Sequence, residues 1–170
     1  EAEYSLNAEE LKPYFRLENC IDAVFSLANR LYGLEFIELD NVPVYHEDVK
    51  VYEVKDADGR HMALFYADFF PRASKRGGAW MTDFRGQSIR NGVEYRPFIT
   101  TVMNFTKPTA DAPALITHDE LTTFLHEFGH ALHGMLAKGR YPSLTGTSVS
   151  RDFVELPSQI MENWAFEPEY

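Results

Sequence analysis

"TTFLHEFGHALHGML", residues 122–136, places His126, His130 and His133 in one short stretch, with Glu127 beside the first histidine. On an α-helix, residues four apart lie on nearly one face and one turn apart along the axis. His126 and His130 can therefore hold one metal ion from the same side. Glu127 is offset around the helix, so its carboxylate can face a water at an open metal position without ligating the ion. The flanks support the helix. Thr117 with Glu120 three residues later forms a capping box, and Gly139 marks the expected stop.

His133 lies two turns beyond His126, too far along the axis to share an ion with both partners. A packed polar residue is favoured there over a role facing substrate. Catalytic zinc sites commonly combine two histidines with one glutamate. His46, His61 and His118 have no paired spacing, so the third ligand is expected to be acidic and downstream. Glu155, in "DFVELPSQ", is the better candidate, because the loop before it is long enough for the next helix to fold back. Glu162 competes with it. The ligand histidines also need acceptors for their outer ring N–H groups. Gln159 and Asp152 are candidates, each balanced by an ordinary surface or capping role.

The rest of the chain reads as α+β. Asn7 would cap a short helical turn. Residues 17–33, "LENCIDAVFSLANRLYG", place Ile21, Val24, Phe25, Leu27, Ala28 and Leu31 at helical spacing, with Gly33 as the stop. The period then changes to two. Residues 33–43, 48–56, 61–70 and 96–105 read as strands, with Asp58-Gly59 a hairpin turn between the second and third. Residues 106–116 form a connector. A final helix is expected to start at Ser150, with Pro157 kinking it. The expected order is an N-terminal helix, a small antiparallel sheet, then two helices bearing the zinc ligands.

Composition narrows the partners. With 26 acidic and 16 basic residues, the net charge is −10, which disfavours nucleic acid and an anionic membrane surface. No apolar run has the length of a bilayer span. A single cysteine, Cys20, makes no internal disulfide, and the expected compartment is cytoplasmic.

"HDELTTFLHEFGHALHGML" followed by "RDFVELPSQIMENW" resembles the thimet oligopeptidase family of zinc metallopeptidases. The upstream "FYADFFPRASKRGGAWM" is also similar to that family's segment before its active-site helix. The resemblance implies a zincin with His126, His130 and Glu155 as ligands of one Zn2+ and Glu127 as catalytic base. The stretch from Ala131 to Gln159 is most similar to the bacterial peptidyl-dipeptidase branch, which implies release of C-terminal dipeptides from short peptides. An oligopeptidase cleaving within short peptides is the alternative.

The resemblance also implies a longer, mainly α-helical parent. Residues 1–170 are then one fragment of its catalytic domain, and the remaining segments of the parent chain are its partners. In isolation the fragment is expected to be inactive, or to bind metal without turnover. "SKRGGAWM", residues 74–81, offers Gly77, Gly78 and Ala79 as a strand edge for a peptide backbone, although an ordinary turn is slightly favoured. Lys138, Arg140 and Arg151 could attract a terminal carboxylate, but surface charges near a helix end are commoner.

Overall fold

The computed structural model describes residues 8–168, so the cap expected at Asn7 lies outside the described residues. A short helix α1 (Ala8–Leu11) and a 3-10 turn (Lys12–Tyr14) lead into α2 (Leu17–Tyr32). Leu17, Cys20, Ile21, Val24, Leu27 and Ala28 form the buried face of α2, at the three- and four-residue spacing of one helix stripe. Gly33 ends it with φ at 68°, a left-handed conformation that a side chain would strain, and its amide bonds the Asn29 carbonyl at 2.7 Å.

Five strands make one sheet: β1 (Glu35–Glu38), β2 (Lys50–Lys55), β3 (His61–Asp68), β4 (Trp80–Arg85) and β7 (Phe98–Val102), in the order β1-β2-β3-β7-β4. Gly59, with φ at 77°, turns β2 into β3 as expected. The sheet is mixed, correcting the expected antiparallel one: β7 runs parallel to β3 and antiparallel to β4. Burial explains the insertion. Ile99, Thr100, Thr101 and Val102 of β7 are all buried, so this strand takes a covered central place, whereas the more polar β4 takes the edge. A separate hairpin, β5 (Ser88–Arg90) with β6 (Val93–Tyr95), turns on Asn91 and Gly92, both at positive φ.

One sheet face packs on α2 and on α3 (His118–Met135). Phe25, Phe36, Phe65 and Phe128 meet there, with Phe25 and Phe36 stacked at 4.1 Å between centroids. The capping box forms as expected: the Glu120 amide donates to Thr117 Oγ1 at 3.1 Å, and the Thr117 amide to Glu120 Oε2 at 2.7 Å.

Two helix ends differ from expectation. α3 stops at Met135, before Gly139, because the Arg96 guanidinium takes the Met135 carbonyl at 2.6 Å and the Ala137 carbonyl at 3.1 Å. Gly139 instead sends its amide to Gln87 Oε1 at 2.7 Å and allows Thr145 to approach its backbone closely. The last helix, α4 (Leu156–Glu162), begins later than Ser150; residues 151–155 are turns. Pro157 falls in its first turn, where a missing N–H costs nothing, so it starts the helix rather than kinking it. Among the described residues, no helix is long and apolar enough to cross a membrane.

Candidate metal centre

α3 turns Phe124, Leu125, Phe128, Ala131, Leu132 and Met135 into the core, which leaves His126 and His130 together on its outer side. Their rings lie 4.9 Å apart, nearly perpendicular. Between them, Gly129 lets the start of α4 come against the α3 backbone. A Cβ at this position would stand 2.6 Å from the Ser158 Cα, closer than real packing permits. The result is that Glu155, just before α4, reaches both rings.

Glu155 Oε2 lies 3.3 Å from His126 Nε2 and 3.0 Å from His130 Nε2. One ligand atom from each of the three residues falls within 4.8 Å of the others, a spacing that could hold a metal ion. Two imidazole nitrogens and a carboxylate oxygen are a donor set suited to zinc with a further position open. Glu155 occupies the N-cap position of α4 rather than the helix proper, correcting the expectation of ligands on two helices. Ser158 Oγ donates to Glu155 Oε2 and to its carbonyl, both at 2.9 Å. The Ser158 hydroxyl holds the Glu155 carboxyl below the usual carboxylate range, and His130 and His126 add to this against the cost of desolvation.

Glu162 is placed on the opposite side of His126, with Oε1 2.5 Å from Nδ1. It is therefore an outer partner of a ligand candidate. For His126 it takes the acceptor role expected of Gln159 or Asp152; His130 Nδ1 is buried without a hydrogen-bond partner among the described residues. A carboxylate there fixes the ring orientation and tautomer, leaving Nε2 to face Glu155. A carboxylate two turns after the "VELPSQ" glutamate was visible in the sequence, but only the α3–α4 crossing shows which ring nitrogen it meets.

Glu127 is buried on the side of α3 facing β4. Burial pushes its carboxyl up; the His126 ring and the Met81 backbone amide pull it down, and Glu155 raises it further. His133 sits one turn past His130, edge-on to Phe153 at 6.3 Å, with Nδ1 buried and without a hydrogen-bond partner among the described residues. It lines a groove of about 390 Å3 with Leu136, Leu144, Val149 and Ile160, in keeping with a packed residue. His46, His61 and His118 bond Asp48, Glu53 and the Ala165 carbonyl respectively, apart from this centre. Gly77 and Gly78 lie in the turn before β4, which is the sheet's edge strand, and the Arg140 guanidinium stacks over Tyr141.

The protein-family model for Peptidase family M3 matches residues 1–170. The chain belongs to peptidase family M3. It is 52% identical over 166 residues to a dipeptidyl carboxypeptidase of Salmonella typhimurium, covering 97% of this chain and 24% of that protein. The dipeptidyl carboxypeptidase of Escherichia coli is 50% identical over 167 residues, covering 98% of this chain and 24% of its own. Oligopeptidase A of Escherichia coli is 43% identical over 168 residues, covering 98% of this chain and 25% of its own. The chain thus spans about a quarter of the length of the curated relatives it matches.

Proposed function

We propose that this chain carries the metal-binding and proton-transfer residues of a zinc metallopeptidase that acts on short peptides. The observation that carries the reading is the convergence of His126, His130 and Glu155 with buried Glu127 beside them. Zinc bound by these three side chains would supply Lewis acidity toward a water and toward the scissile carbonyl.

The remaining work falls to the chain's own side chains. Glu127 accepts the proton of the attacking water and passes it to the leaving amine. Its burial suits the first step, because a carboxylate pushed up by desolvation is a stronger base toward the attacking water and keeps the proton until the amine takes it. Glu162 fixes the His126 ring through Nδ1, and Ser158 fixes the Glu155 carboxylate, so His126 Nε2 and Glu155 Oε2 face each other before any ion arrives.

The finer reading is a peptidyl-dipeptidase that releases C-terminal dipeptides, supported by the higher identity to dipeptidyl carboxypeptidases than to oligopeptidase A. Peptides with free and amidated C-termini, offered to the full-length protein, test it. Cleavage two residues from a free C-terminus, with the amidated peptide left intact, supports the dipeptidase. Equal internal cleavage of both supports an oligopeptidase.

A further inference from the structure

Away from the metal centre, the loop between β3 and β4 closes around a buried ammonium group. The Lys75 side chain is 2% exposed, and its Nζ donates to Asp68 Oδ1 at 2.9 Å, the Asp68 carbonyl at 3.0 Å and the Phe70 carbonyl at 2.8 Å. All three ammonium protons are thus used. Asp68 is equally saturated: Arg72 grips both its oxygens at 2.9 Å, and the Tyr45 hydroxyl donates to Oδ2 at 3.0 Å. A buried lysine is costly unless every donor finds an acceptor, and here two of the acceptors are backbone carbonyls at the start of the loop. Further along, Asn104 Nδ2 donates to the Arg76 carbonyl at 3.0 Å and the Gly78 carbonyl at 2.7 Å, just before β4 begins.

This pinned loop delivers an edge strand. Among the described residues, β4 has a sheet partner only on its β7 side, and its register slips between Asp83 and Arg85. Its seat on α3 is close: a Cβ on Gly134 would stand 2.8 Å from the Met81 methyl. Gly134 lies two turns after Glu127 on the same side of α3, so β4 packs on the helix face that carries Glu127. We infer that Lys75 and Asn104 are positioning residues, holding the β3–β4 loop so that β4 seats Met81 on the face of α3 that carries Glu127. Their catalytic consequence rests on the peptidase reading above; their effect on β4 does not.

The test compares Lys75→Met and Asn104→Ala in the full-length protein with wild type, by hydrogen exchange across residues 80–85, zinc content and peptide kinetics. The expected result is exchange about tenfold faster in that strand, unchanged zinc stoichiometry, and kcat about tenfold lower with KM within about twofold, as a misplaced base would give. Asn104→Ala decides alone if Lys75→Met does not fold. Unchanged exchange across 80–85 overturns the inference, as does faster exchange with unchanged kcat. Loss of zinc together with kcat overturns it too, because that pattern marks general disruption. A wild-type protein that cleaves no peptide sinks the peptidase reading instead, and the exchange measurement still decides what the loop does.

Discussion

Gly129 and Ser158 meet backbone to backbone, and the candidate metal centre depends on that contact. A methyl group on Gly129 would stand 2.6 Å from the Ser158 Cα and closer still to the Pro157 carbonyl oxygen. The obstacles are main-chain atoms, which cannot rotate aside. Gly129→Ala should therefore push α4 away, costing about 2 kcal/mol of stability by overpacking despite alanine's better helix propensity. Since Glu155 rides on the start of α4, zinc affinity should fall as well. Thermal unfolding and zinc titration of the variant check both effects.

The two carboxylates around His126 should separate cleanly. Glu155→Ala removes a proposed ligand and should lose the ion, whereas Glu162→Ala removes only the partner of Nδ1. About a 10- to 100-fold loss of zinc affinity is expected for the second variant. Competition with a chelator gives both values. If Glu155→Ala kept wild-type affinity while Glu162→Ala lost the metal, the roles would be reversed.

Glu127→Gln in the full-length protein should keep zinc, because the proposed ligands are untouched. Turnover should fall at least about 100-fold with loss of the base. Metal analysis beside steady-state kinetics tests this pair of expectations, and near-normal turnover would remove Glu127 from the mechanism.

Acid should act on the far side of the sheet. Asp68 is buried, and desolvation alone would raise its carboxyl; the Arg72 and Lys75 hydrogen bonds outweigh that and hold it below its ordinary 3.8. A depressed folded value means that the carboxylate stabilises the fold above the unfolded value near 3.8 and that this is lost as pH falls through the folded one. Stability measured by denaturant should drop below about pH 4. Asp68→Asn should lose about 3 kcal/mol at neutral pH, leaving two cations without their carboxylate, and should flatten that acid limb.

Where local chemistry decided the backbone, the chain could be read directly. Thr117 with Glu120, Gly33 after an apolar stripe, and Asp58-Gly59 between alternating runs each carry their own geometry. β4, β5 and β6 went unread, although Asn91-Gly92 is a strong hairpin signal. β4 in particular has little periodicity, because an edge strand does not need two buried faces. The place of β7 between β3 and β4 depends on pairing between distant segments, which no local pattern states. In the metal centre, the spacing of His126 and His130 was legible. The placement of Glu155 at an N-cap and of Glu162 on Nδ1 arises from the crossing at Gly129, a tertiary event.

The strand order also dictates a sequence of events on the ribosome. β4 leaves the exit tunnel before β7, the strand that completes its ladder, so for a time its sheet-facing amides have no permanent partner. His126 and His130 emerge next, as a two-toothed grip, and Glu155 and Glu162 follow only once the loop beyond α3 has been made. An ion captured early would sit on two imidazoles alone, open to exchange with any competing chelator in the cell. On the proposed ligand set, retention of an ion would wait until translation has passed Glu162, so loading would report that α4 has docked on α3.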